Sequence, residues 1–336
     1  MTDQPVRIRT LDQADADLRQ FLLDLGPMDF TAGIEFNEAV ACHYHHAQLS
    51  WLVAERDQTV VGAMPVVSRQ RRGLVQLESS IEGTVAGPLL SPALPTDQAH
   101  QVFSQLLNAL ADALGGRSVL AAVTLSSPAL LELVDGFVSS RWQRQLFESG
   151  VVDCSQGLEH VDRELWTRNR RNERNRGLKR GLTLHTETDP TVLADWYPIY
   201  REDAARWAMA TVPLALFEDL IQRSPGQVVL NIARLEGEVV GGHFGFVCRD
   251  RLFTWQSGAR ADLLRTLFLT TVLYWQDICF ACERGLSAVD FGGSVGRDGL
   301  WDFKRRCGAQ PEARCQLLAR SPLGQGVQTL AGLIKR

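Results

Sequence analysis

The chain has 336 residues, 45% apolar and 22% charged, the make-up of a soluble globular protein with room for two domains of ordinary size. Its formal net charge of −4 excludes a surface that is basic throughout, so any polyanion has to be held by a local patch. A polar start without an apolar signal region, no membrane-spanning run and seven scattered cysteines lead us to expect a cytoplasmic protein with reduced thiols.

In chain order, residues 6–11 alternate apolar and basic side chains, as a starting strand does, and 14–25 have helical spacing. Residues 50–54, 60–67 and 74–77 read as three strands joined by short polar turns, an antiparallel meander. A helix over 98–114 and a buried strand over 119–125 complete the first half. The second half repeats the order. A basic helix spans 164–179, a strand 182–186 and a helix 190–206. A second meander runs through 228–235, 239–248 and 252–257, followed by a long helix over 263–284 and a strand over 288–291. Arg265, Gln276 and Asp277 make that long helix a buried one rather than a membrane span. Residues 52–62 are echoed by 232–242. The pattern predicts a structural duplication with mixed α/β or α+β sheets, divided into 1–157 and 158–336 with a linker within 154–161.

The last predicted strand runs into Gly292-Gly293-Ser294-Val295-Gly296-Arg297 and then a short helix carrying Phe303-Lys304-Arg305-Arg306. Glycines allow close approach of backbone N–H groups to a ligand, a helix start adds further donors, and Lys304 adds a positive charge on a flexible stem. We expect negative charge to be held or to develop here.

This stretch carries a family resemblance. A strand ending in Asp290-Phe291-Gly292, the Ser/Gly turn, and Phe303-Lys304 followed by Gly308 resemble the end of the catalytic domain of Fem-type aminoacyltransferases, although Cys307 stands where an aromatic is common. Leu165-Trp166, Arg170-Arg171-x-x-Arg174 and Lys179-Arg180-Gly181 are similar to the family's arginine helix. The turn Glu236-Gly237 with Gly241-Gly242 is similar to its meander. The likeness covers roughly residues 35–315. It implies a tandem duplication of two GNAT-like acyltransferase domains, with most of the active site in the second. It also implies transfer of an acyl or aminoacyl group from an activated ester, aminoacyl-tRNA by family habit, to an amine on a cell-wall precursor or small molecule. No cofactor is implied beyond the acyl donor as co-substrate.

Each candidate residue carries a chemical and a bland reading. Lys304 can hold a phosphate or stabilise a tetrahedral oxyanion, the resemblance giving it an active-centre role and Phe303 a packing role; alternatively it is solvated. Ser294, Gly296 and Arg297 are candidate substrate contacts in the glycine turn. Asp290 can orient the amine or take its proton, or cap the turn. Trp255, Gln256 and Ser257 end the third strand of the second meander, where a GNAT-like fold keeps its acyl cleft, and Arg206-Trp207 can form one wall. Arg170, Arg171 and Arg174 share a helical face that can neutralise tRNA or nucleotide phosphates, or is simply solvated. Cys42-His43-Tyr44-His45-His46 lacks the spacing of a metal site, and Cys279-x-x-Cys282 reads as core. Residues 258–265 lack the paired glycines of a pyrophosphate-binding loop and contain Asp262, which disfavours simple acetyl-CoA use. The expectation is an N-acyltransferase without a covalent nucleophile or metal. Its rivals are an acyl-CoA or acyl-carrier-protein N-acyltransferase acting on a polysaccharide, peptide or small amine, and a non-catalytic RNA-binding protein on the same fold.

Overall fold

A computed structural model describes residues 5–26, 28–137, 139–294 and 296–334, so Val295 of the glycine turn lies outside the described residues. The chain divides into two compact units: Met1–Phe147 with Ala313–Arg336, and Glu148–Glu312. The division expected at 157/158 falls inside the second unit, and the end of the chain returns to the first.

The first unit begins with β1 (Arg7–Leu11), α1 (Ala16–Asp24) and α2 (Ile34–His43). Asp15 starts α1 by accepting the Leu18 N–H at 2.9 Å. The expected meander follows as β2 (Ala47–Arg56), β3 (Thr59–Arg71) and β4 (Leu74–Glu78), with the two-residue strand β5 (Leu89–Leu90) added to β3. Then come α3 (Thr96–Asp112), β6 (Ser118–Leu125) and α4 (Pro128–Gly136). Val102, Phe103, Leu106, Leu107 and Leu110 put one stripe of α3 into the core with Val66, Leu77, Ala121 and Val123 of the sheet.

The second unit contains the end of β7 (Trp142–Asp153), a short α5 (Leu158–His160) running into a single π turn at Val161–Leu165, α6 (Arg168–Lys179), β8 (Leu182–Glu187), α7 (Val192–Arg206) and α8 (Leu214–Arg223). Its meander is β9 (Val228–Leu235), β10 (Glu238–Cys248) and β11 (Arg251–Ala259), followed by α9 (Leu269–Glu283), β12 (Ala288–Gly293) and α10 (Asp298–Arg306). The basic helix expected from 164 thus starts at Arg168. The long helix expected from 263 starts at Leu269, after a 3-10 turn at Ala261–Leu263. β13 (Gln310–Arg320) pairs antiparallel with β6, and α11 (Pro322–Ile334) ends the described chain. No helix among the described residues is long and apolar enough to cross a membrane.

The duplication is visible in turn geometry. Asp57-Gln58 joins β2 to β3 with φ of 51° and 63°, and Glu236-Gly237 joins β9 to β10 with φ of 53° and 89°. Both are two-residue hairpin turns whose positive φ matches strand twist, at the two places where the sequence echoes itself.

The two units differ where their third meander strand meets the next strand in parallel. In the first, β4 and β6 pair to Glu78↔Ala122, and the chain then folds back over the opening. Ser79 donates its hydroxyl to Ala86 O at 2.6 Å, Thr84 donates to Ile81 O at 2.7 Å, and Ala86 N–H bonds to Thr124 O. Ile81, Thr84 and Ala86 are buried there. In the second, β11 and β12 pair only through Arg251↔Ala288, Leu252↔Val289 and Phe253↔Asp290. β11 then runs on to Ala259, paired with β10 alone. Among the described residues no strand pairs with that edge of β11 beyond Phe253.

Candidate active site

The parted strands β11 and β12 set the geometry of the site. β12 ends in the glycine turn, with Gly292 at φ 73°, a conformation that glycine adopts without strain. Asp290, 7% exposed, accepts hydrogen bonds from the Gly292 N–H at 2.8 Å and from the Ser149 hydroxyl. It therefore caps the turn, the bland of its two readings.

Lys304 corrects the expectation of a flexible cation. It is 2% exposed, and its Nζ donates to the carbonyls of Gly292 at 2.8 Å and Gly293 at 3.1 Å. The turn thus presents oxygens to an ammonium rather than N–H groups to an anion. Burial pushes the Lys304 pKa down to about 8, opposed by the charge of Asp290 and reinforced by that of Arg297. An ammonium has three donors; two are used on these carbonyls among the described residues. Phe303, next to Lys304 on α10, packs edge-on against Tyr274 with centroids 5.1 Å apart and lies 4.2 Å from the Arg170 guanidinium.

The remaining candidates separate by strand face. A β-bulge at Trp255 shifts the register between β10 and β11. Trp255 packs with Phe217, Phe244 and Phe246, and Gln256 pairs with Phe244 and is buried. Ser257 pairs with His243 and is exposed, so Gln256 and Ser257 line opposite faces rather than one cleft. Trp207 is 55% exposed and carries Arg206 at 5.8 Å and Arg297 at 5.4 Å over its ring. Arg206 is ion-paired to Asp203. Ser294 has a buried hydroxyl without a hydrogen-bond partner among the described residues, and its carbonyl accepts the Arg297 N–H at 3.0 Å. Gly296 sits in the turn at φ 68°.

The arginine face of α6 points inward, against expectation. Arg174 is 8% exposed, pairs with Asp162 at 2.6 Å and stacks 4.1 Å over Trp275. Arg171 donates to the carbonyls of Asp162, Arg163 and Trp166 at 2.6–2.9 Å, tying down the π turn. Arg170 pairs with Glu173 and reaches Thr271 at 3.3 Å. These are packing clamps, because the partnered face of a helix is the buried one. The exposed side of α6 carries Arg168, Arg176 and Lys179, with Arg180 just past its end. There a cavity of about 370 Å3 is lined by Asn169, Asn172, Glu173, Asn175, Arg176, Lys179 and Phe268. Arg260 and Asp262 neutralise each other at 2.7 Å in the segment before α9.

Sequence reading missed one buried polar cluster. Asp277 of α9, 1% exposed, accepts from His243 Nδ1 at 2.6 Å, Asn231 Nδ2 at 2.7 Å and Thr254 Oγ1 at 3.0 Å. A histidine inside the apolar run 239–248 and an acid inside a helix buried all round were the available signals. Cys42 and His43 end α2, and no group of three metal-ligating side chains exists among the described residues. All seven cysteines are free, Cys279 and Cys282 being half-buried rather than core.

Residues 167–305, all in the second unit, match the family model described as acetyltransferase (GNAT) domain. No curated protein matches the chain in sequence. Among solved structures, FemX superposes with a TM-score of 0.62 at 12% identity, covering 98% of this chain and 100% of its own. The L-PGS of Bacillus licheniformis gives 0.59 at 13% identity, covering 95% of each. A tandem GNAT protein from the clavulanic acid biosynthesis pathway gives 0.54 at 11% identity, covering 94% of this chain and 98% of its own.

Proposed function

From the premise of a Fem-like GNAT acyltransferase, we propose that the protein moves an aminoacyl group from an activated ester, the charged end of a tRNA, to an amine acceptor by direct attack. The observation that carries this reading is the parting of β11 and β12 beside Lys304. An extended donor lies along the uncovered edge of β11, its carbonyl oxygen toward the third Nζ donor of Lys304. As the amine adds, charge builds on that oxygen, and a buried ammonium meets it without solvent reorganisation. Holding both reactants in place removes further kilocalories of barrier. Arg297 and Trp207 flank the mouth for the acceptor. The exposed cations of α6 take the donor's phosphates. The self-neutralised Arg260–Asp262 pair and the glycine-poor segment before α9 favour a tRNA end over a CoA pyrophosphate.

Thermal unfolding with charged tRNA, free CoA and acyl-CoAs tests the donor. A ligand at ~100 times its dissociation constant adds about 2.7 kcal/mol, a visible shift. Charged tRNA alone should raise the midpoint. A shift with CoA species alone replaces this donor by a thioester.

A further inference from the structure

Buried polar clusters in an apolar layer are costly unless every member is partnered. The cluster under α9 is complete except at one atom. Asp277 has three donors on its two oxygens, and Asn231 accepts the Thr186 hydroxyl at 2.7 Å. His243, 3% exposed, gives its Nδ1–H to Asp277, which fixes the tautomer and leaves Nε2 with a lone pair. No described residue partners that Nε2. The His243 ring stands 5.3 Å from the ring of Tyr274, which lies 4.2 Å from the ring of Phe291 on β12. Tyr274 thus runs beneath the opening between β11 and β12. In register with His243 on β11 is Ser257, on the same face and exposed, beyond the last β11–β12 pair. His243 itself is buried, and its cross-strand neighbour Ser257 is the exposed member of the row.

We propose that His243 is the proton acceptor of the acyl transfer, with Asp277 as its positioning residue; this rests on the acyl-transfer reading above. The amine nitrogen bonds to the acyl carbon, the carbon–oxygen bond of the donor ester breaks, and its electron pair leaves on the alkoxide. The proton lost by the attacking nitrogen passes to Nε2, directly or through one water, and from there to the leaving oxygen. Groups facing His243 are Asp277 and Tyr274 from α9, Asn231 from β9 and Thr254 from β11. Asp277 is the one carboxylate among them. Behind Tyr274 lies the Cys307 thiol, pushed up to about 12 by burial.

The test is the pH dependence of kcat/KM in wild type, His243→Gln and Asp277→Asn, each checked for folding by thermal unfolding. His243→Gln should lower kcat at least about a hundredfold, with KM little changed, and erase the acid limb of the profile. Asp277→Asn should move that limb to lower pH, because the imidazolium loses its anion. A folded His243→Gln that keeps kcat and the acid limb overturns the assignment, leaving acyl transfer intact. If that variant does not fold, an unmoved limb in Asp277→Asn overturns it. Wild type that turns over no charged tRNA and no acyl-CoA overturns the acyl-transfer reading, and this assignment with it.

Discussion

At the scale of single residues, the proposed mechanism makes Lys304 govern the alkaline side of the chemistry. Its ammonium form is the useful one, and with a pKa near 8 it is lost at mild alkalinity. Wild type should therefore lose kcat/KM above about pH 8, and Lys304→Met should lack that fall. Lys304→Ala should cut turnover at least tenfold, a barrier rise of ~1.4 kcal/mol; near wild-type turnover with a verified substrate removes Lys304 from the mechanism. Stability moves in a definite direction. The folded pKa lies below the unfolded value of 10.5, so between about 8 and 10.5 the unfolded chain binds more protons and folding strengthens as pH rises. Chemical denaturation at pH 7 and pH 10 should show wild type gaining on Lys304→Met. The residue stood out in the sequence by its place after the glycine turn. Its burial did not, because a lysine in a run with Arg305 and Arg306 reads as solvated until the carbonyls of Gly292 and Gly293 are seen to turn toward it.

Among the elements, α6 separates charge that packs from charge that binds. Arg174→Ala leaves Asp162 unpaired and Trp275 uncovered, and should cost about 2–4 kcal/mol of stability. Changing Arg176 and Lys179 together to Glu should leave the unfolding midpoint nearly unmoved while weakening charged tRNA and flattening its salt dependence. Equal loss of stability in both variants contradicts the division. Helical period alone grouped Arg170, Arg171 and Arg174 on one face. It had no means of saying that this face is the inner one, since the partners Asp162, Trp166 and Thr271 come from other elements. Gly177 marks the contact: a Cβ there would lie 2.5 Å from the Leu267 carbonyl oxygen, which holds α6 tight against the segment leading into α9. The hairpins, by contrast, were legible, because Asp57-Gln58 and Glu236-Gly237 each sit between alternating runs. The strands β7 and β13 were not expected, as neither belongs to the repeated pattern that organised the reading.

For the whole molecule, the duplication is unequal in one respect. Ser79 to Ala86 close the opening between β4 and β6, whereas among the described residues no strand pairs with β11 on the β12 side beyond Phe253. Calorimetric titration with the donor should accordingly give one site per chain, and two would show that the first opening yields. The family match to 167–305 alone fits this asymmetry. Each half also ends in a borrowed strand: β7 follows the first repeat and pairs with β12 of the second, while β13 follows the second and pairs with β6 of the first. Synthesis runs in one direction, so the second unit has all of its described pieces once Glu312 leaves the ribosome, and the first, although begun earlier, waits with one edge of β6 unpaired until Ala313–Arg336 arrive. The part of the protein made first is the last that can be finished.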